Sequence, residues 1–188
     1  MGSEHSVITD RVSNLSYRLM TLTFKIIDFF FPPEKPLEEF GLKPGLTVMD
    51  YGCGPGRHLK AASQLVGPTG KVYAVDIHDL AIQAVTELIE KEQLNNVEPV
   101  LVHGYTTPLP AASIDLLYAL DMFHGVHDPD RLQQEWHRLV KPGGTLILED
   151  GHQSRAKTRE SLRRAGVFEI QDEQKQYVRC RPVKSTNN

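Results

Sequence analysis

Two acids and a run of glycines carry the first chemical signal in this chain. Asp50 ends the apolar run Val48-Met49-Asp50, and Gly52, Gly54 and Gly56 then fall at alternate positions in Tyr51-Gly52-Cys53-Gly54-Pro55-Gly56-Arg57. Glycines in such a turn remove Cβ atoms where a ligand must lie against the backbone. They also serve tight turns for purely structural reasons. A dinucleotide turn spaces its glycines G-x-G-x-x-G, so that a pyrophosphate reaches a helix N-terminus. Here the spacing is G-x-G-x-G. A carboxylate beside it would repel a pyrophosphate, but it suits a ligand that carries an ammonium and a sulfonium. The second acid, Asp76, ends the β-rich segment Lys71-Val72-Tyr73-Ala74-Val75-Asp76, which leaves the turn Gly67-Pro68-Thr69-Gly70. A carboxylate in that place offers two oxygens to two vicinal ribose hydroxyls. Asp76 could instead cap the following helix, although Asp79 already fits that position.

The elements that must hold these residues alternate along the chain. Thr47–Asp50, Lys71–Asp76, Val97–His103, Ile114–Leu120 and Gly144–Asp150 read as strands, and their continuous apolar character suits a parallel sheet buried on both faces. Between them lie segments with an apolar period near that of a helix. Leu59, Ala62, Leu65 and Val66 form one face, Ala81, Ala84, Val85, Leu88 and Ile89 a second, and Leu132, Trp136, Leu139 and Val140 a third. The third helix opens on Asp128-Pro129, an acid at the cap and proline at the first helical position. Lys141 ahead of Pro142-Gly143-Gly144 reads as its stop. A further helix over Ser154–Ala165 ends at Gly166. Val167–Asp172 and Gln176–Pro182 then read as two strands joined by a short polar turn, so one of them must run antiparallel.

With 188 residues the chain is one ordinary domain, long enough to bury a core. Its two cysteines, Cys53 and Cys180, give no disulfide framework, so a reducing cytoplasm is the default location. No segment reaches the length of a membrane span. The net charge is −3. A basic excess gathers at the C-terminal end, with Arg155, Lys157, Arg159, Arg163, Arg164, Arg179 and Arg181, and it reads as a solvated helix face. Aromatic platforms for nucleic acid are nearly absent there, so no nucleic-acid partner is expected. Near the N-terminus Leu15, Leu19, Leu22, Phe24, Ile26, Ile27, Phe29, Phe30 and Phe31 form an apolar segment before Pro32-Pro33. It could pack on the core, cover a site, or meet a membrane surface or a partner chain.

The ordered set of motifs resembles the class I S-adenosylmethionine-dependent methyltransferases, above all the compact group that includes ubiquinone and menaquinone C-methyltransferases. The likeness runs from about Leu42 to Gly151. It rests on Val48–Gly56, Val72–Asp76, Gly104…Leu109-Pro110, Ser113-Ile114-Asp115-Leu116-Leu117-Tyr118, Phe123-His124-Gly125-Val126 and Leu139-Val140-Lys141-Pro142-Gly143-Gly144-Thr145-Leu146. The resemblance implies a Rossmann-like, doubly wound α/β fold: a seven-stranded sheet, mostly parallel with the last strand antiparallel, and helices on both faces. It implies one methyltransferase domain over 1–188, with 1–40 as a helical lid or cap and 41–188 as the cofactor-binding core. S-adenosylmethionine would be the cofactor and S-adenosylhomocysteine its product. By analogy Gly52, Cys53 and Gly54 would hold the methionine part, Asp50 its ammonium and Asp76 the ribose. Ile77 would lie against adenine, and Leu120 would complete the cofactor pocket.

One position departs from the family. After the third strand the pattern carries Gly-Asp, whose carboxylate accepts from the adenine amine, whereas this chain has Gly104-Tyr105. Tyrosine supplies no carboxylate. Tyr105 must therefore either cover the adenine face or fill core, leaving the amine to backbone or water.

In such folds ligands bind outside the carboxyl ends of the strands. Leu120, Asp121, Met122, Phe123, His124 and His127 follow the fourth strand, and Glu149, Asp150 and His152 the fifth. His124, with Asp121, is the candidate general base, because histidine titrates near neutral pH. It could equally be a helix-start residue packed under the loop. Tyr17, Phe24, His127 and His152 are candidate walls of the acceptor pocket. His124, His127 and His152 with Asp150 could ligate a metal, but no recognised ligand motif is present and no metal is expected. The expected activity is in-line methyl transfer to a small-molecule acceptor by a monomer or homodimer. The alternative is a catalytically silent cofactor-binding module that regulates or scaffolds a partner.

Overall fold

The apolar runs form strands and the periodic runs form helices, in alternation except between the third and fourth strands and at the last hairpin. A computed structural model describes residues 11, 13–19, 21, 23 and 37–184. Residues 14–19 are helical. The core follows as α1 (Leu37–Phe40), β1 (Thr47–Tyr51), α2 (Leu59–Val66), β2 (Lys71–Asp76), α3 (Asp79–Glu92), β3 (Val97–Leu101) and β4 (Ile114–Ala119). A 3-10 turn over Phe123–Gly125 leads to α4 (Pro129–Leu139), β5 (Val140–Glu149), α5 (Arg155–Ala165), β6 (Phe168–Glu173) and β7 (Tyr177–Pro182).

The seven strands lie in the order β3-β2-β1-β4-β5-β7-β6. From β3 to β5 every pairing is parallel, while β7 runs antiparallel to both β5 and β6. The expected doubly wound sheet with one reversed strand is therefore present. Strand order reverses between β1 and β4, so the carboxyl ends of β1, β2 and β4 open around one crevice. Alternate residues of each strand feed two cores. Val48, Leu116, Tyr118 and Ile147 pack with Leu59 and Val66 of α2 and Val85 of α3. Met49, Leu117, Leu146 and Leu148 face the other way, onto Leu132 and Trp136 of α4 and Leu162 of α5. Each buried aliphatic side chain contributes about 1.5–3 kcal/mol, so helices on both faces are the energetic condition for such strands.

The larger differences from the sequence reading lie at three boundaries. The strand expected over Val97–His103 stops at Leu101 and carries Pro99, which the sheet accepts because β3 lies at its edge. α3 is capped by His78 rather than Asp79, the imidazole Nδ1 accepting from the Leu80 N–H at 3.2 Å. β5 begins at Val140, ahead of the Pro142-Gly143-Gly144 stop. Val140 pairs with Ile114, and the register then shifts before Thr145 meets Leu116. The shifted segment is pinned by the Lys141 ammonium on Asp115, 2.7 Å away. The Asp128 cap holds, with its side chain accepting from the Arg131 N–H at 3.1 Å and Pro129 next to it. No helix among the described residues is long and apolar enough to cross a membrane.

Candidate active site

At the carboxyl end of β1 the backbone leaves the sheet through Gly52, Gly54 and Gly56, with φ of +78°, +52° and +85°. Side chains rarely adopt that conformation, which accounts for the alternate spacing. The turn is stitched to β2: the N–H groups of Gly52 and Cys53 both donate to the Val75 carbonyl, at 2.8 and 3.0 Å. The Gly54 N–H donates to one oxygen of Asp76 at 2.9 Å, and the other oxygen accepts from the His78 N–H at 2.9 Å. Asp76 thus closes the glycine turn as well as ending β2. Burial raises its carboxyl above the ordinary pKa, against the pull of those two N–H groups. Asp50 lies buried under the turn at 3% exposure. Burial pushes the Cys53 thiol and the Tyr118 phenol well up, and the Asp50 charge adds to both. Both influences favour the neutral thiol at Cys53.

Among the described N-terminal residues, Tyr17 and Arg11 reach the β2 side of this turn. Tyr17 is buried and stacks on His78, with ring centroids 4.1 Å apart and planes at 22°. Arg11 pairs with Asp79 at 2.9 Å. Burial raises the Tyr17 phenol, and the charge of Asp76 raises it further. Tyr17 accordingly lies at the Asp76 end of the crevice. Phe24 lies outside the described residues. His78, which both caps α3 and carries the Tyr17 ring, was missed; its place two residues after a strand-end acid was the available signal.

Beyond β3, Gly104 turns the chain at φ +76°. The Tyr105 phenol oxygen accepts from the Asp128 N–H at 2.9 Å, and the Arg131 guanidinium stands 5.7 Å from the ring centroid. Tyr105 is thus tied to the start of α4 and packs against the core beside Ile77. The rest of the loop is held by Glu135 and Arg138, neither of which the sequence reading singled out. Glu135 accepts from the Thr107 N–H at 2.7 Å, and Arg138 donates to the carbonyls of Leu109 and Thr107 at 2.9 and 3.0 Å.

On the other side of the crevice, Leu120 follows β4 and lines a cavity of about 350 Å³ with Glu39, Phe40, Glu149 and Tyr177. Asp121 comes next, with φ +52°. Met122 lies against the glycine turn, its Cγ 2.8 Å from where a Cβ on Gly52 would stand. His124 sits in the 3-10 turn, with Nδ1 3.9 Å from Asp121 Oδ1. His152, after β5, brings Nε2 to 3.6 Å from the same oxygen. Asp121, His124 and His152 therefore converge. His127 and Asp150 do not join them. The turn ends at Gly125, and Val126 is extended, which carries His127 onward to the α4 cap. Asp150 takes both its bonds from the Arg155 guanidinium, at 2.9 and 2.8 Å.

The crevice at the switch point, its glycine turn and its two strand-end carboxylates define a Rossmann-like nucleotide-binding domain. The profile of the family described as a methyltransferase domain matches residues 49–148, more than half of the chain, and the chain belongs to that family. It is 31% identical over 113 residues to a ubiquinone/menaquinone biosynthesis C-methyltransferase of Hahella chejuensis, a match covering 60% of this chain and 45% of that one. An uncharacterized 37.1 kDa protein in a transposon of Streptomyces fradiae is 31% identical over 112 residues, covering 60% of this chain and 32% of that one. The chain thus spans less than half the length of these curated relatives. Among solved structures, an S-adenosylmethionine-dependent methyltransferase from Aquifex aeolicus superposes with a TM-score of 0.79 at 27% identity, over 92% of this chain and all of that one. A [4+2]-cyclase shares the fold, with a TM-score of 0.64 at 23% identity, over 87% of this chain and 62% of that one.

Proposed function

We propose that this chain binds S-adenosylmethionine at the glycine turn and transfers its methyl group to a small molecule held in the cavity beside Leu120. The observation that carries the reading is the Asp76 carboxylate, half-buried, bonded to Gly54, and set at the mouth of a glycine-rich turn. Its two oxygens accept from the N–H groups of Gly54 and His78, and a carboxylate has further acceptor sites for a vicinal diol. Buried Asp50 fits the ammonium of an amino acid moiety. When bound, the cofactor supplies the electrophilic methyl on a sulfonium, and the protein need only align donor and acceptor and exclude water.

The roles of the residues follow from their places. Gly52, Cys53 and Gly54 let the methionine part lie on the backbone, and Ile77 meets the adenine. Tyr17 on His78 closes the ribose end, so the N-terminal segment acts as a cap. Leu120 stands between the donor turn and the cavity. The acceptor proton leaves on the side where Asp121 and His124 stand together.

Calorimetric titration of S-adenosylhomocysteine into wild type and Asp76→Ala tests the reading. Bonds to a charged group contribute about 1.5–3 kcal/mol, so the substitution should weaken binding by about 10- to 100-fold. A folded wild type that binds nothing would sink the proposal. Binding with no turnover across a broad acceptor panel would favour the silent cofactor-binding module instead.

A further inference from the structure

We propose that Asp121, His124 and His152 form a binding site for one divalent transition-metal ion of the zinc type, at the carboxyl ends of β4 and β5. The binding stands on its own geometry; its use at the acceptor rests on the methyl-transfer reading above.

The spacing of the donors is the first argument. The two imidazole nitrogens lie 3.9 and 3.6 Å from one oxygen of Asp121, and all three donor atoms fall within 4.8 Å of one another. A hydrogen bond between imidazole and carboxylate would close to about 2.7–3.2 Å. An ion about 2.0–2.2 Å from each donor spaces tetrahedral ligands about 3.4 Å apart. The observed separations are too long for hydrogen bonds and within half an ångström of ligand spacing for both His–Asp pairs. The remaining His–His distance closes by turning His152, whose side chain is 79% exposed.

The backbone is the second argument. Asp121 holds φ +52°, in the left-handed region that aspartate enters more readily than most residues. Gly151 holds φ +60°, and a Cβ there would run into Nδ1 of His124 and come within 3.2 Å of its Cγ and Cε1. The glycine before His152 therefore leaves the room in which the His124 ring sits. Parallel pairing of Ala119 with Leu148 then brings the two strand ends together. The rings of His124 and His152 meet edge to face, 4.8 Å between centroids, over a single shared carboxylate.

The donor set selects the ion. Two imidazoles and one carboxylate suit zinc and its neighbours, whereas magnesium and calcium prefer oxygen throughout. Three protein donors leave a position open. The site begins one residue after Leu120, which lines the cavity. A hydroxyl bound at the open position would lose its proton to solvent at a lower pH, with His124 then a ligand rather than a base.

Chelator-treated protein titrated with zinc chloride, and in parallel with cobalt(II) followed by its visible absorption, tests the site. One ion per chain is expected, with tetrahedral cobalt bands. Loss of an outer-sphere partner already costs about 10–100-fold, so His124→Ala, His152→Ala and Asp121→Asn should each weaken binding at least about a hundredfold. His137→Ala, on α4, should leave it unchanged. No saturable binding, or an equal loss in His137→Ala, would overturn the site. Titration of the same samples with S-adenosylhomocysteine separates the two readings, since failure to bind it leaves the metal result standing.

Discussion

Asp76 does two jobs whose demands differ with pH. Its pKa is raised by burial in the folded chain, so the native state holds the proton more tightly than the unfolded state. Its contribution to stability is therefore most favourable below the ordinary carboxylate pKa and is lost as pH rises through the raised folded value. Ligand binding runs the other way, because the ionised carboxylate is the better acceptor for ribose hydroxyls. Affinity for S-adenosylhomocysteine should fall on acidification from neutral, beginning above the ordinary carboxylate range, and Asp76→Asn should flatten that profile. Calorimetry across a pH series checks both. The acid itself was legible as the end of an apolar run. Its bond to Gly54 was not, because local pattern says nothing about how closely a turn approaches a strand end 22 residues later. The convergence of Asp121 with His152 was hidden for the same reason, although each residue was a candidate. The stacking of Tyr17 on His78 was not legible either, because no sequence period tells where a leading helix lands.

α4 is the element that ties the core to the site. Trp136 is fully buried, edge-on to Tyr51 at 5.4 Å between centroids and tilted against Phe123 at 5.8 Å. It thus joins the end of β1 to the turn that carries His124. Replacing a large buried aromatic with alanine costs about 3–5 kcal/mol. Trp136→Ala should therefore lower the urea midpoint of unfolding by a corresponding amount, with most of the effect in the unfolding rate unless α4 forms early. The helix was legible from Asp128-Pro129 along its apolar face, since capping and periodicity are local properties, although Val140, read as part of that face, begins β5. The start of β5 was not. Pro142-Gly143-Gly144 reads as a break by composition, yet Lys141 on Asp115 holds that segment against β4. Long-range pairing overrode a local signal.

Across the whole molecule the alternation of strand and helix was readable because parallel strands must be covered on both faces. The reversed strand was readable too, since a hairpin admits no second parallel partner. The basic C-terminal end read as a solvated face, but several of its charges are engaged across elements. Arg159 pairs with Glu173, Arg164 with Asp130, and Arg179 donates to the carbonyls of Glu39 and Phe40. Such partners lie up to 140 residues away, beyond any local period.

The position of β7 has a consequence for the order of events on the ribosome. It lies between β5 and β6, so β6 is synthesised before the strand that, among the described residues, connects it to the sheet. A nascent chain with Glu173 just clear of the exit tunnel would present β5 as a bare apolar edge, with β6 waiting for a neighbour still inside the tunnel. Such edges invite pairing with other chains. Ribosome-bound chains arrested there should remain sensitive to protease through β6, and chains extended to expose Pro182 beyond the exit tunnel should become resistant in one step. Protection that builds gradually before β7 emerges would show that the sheet can close without its last strand.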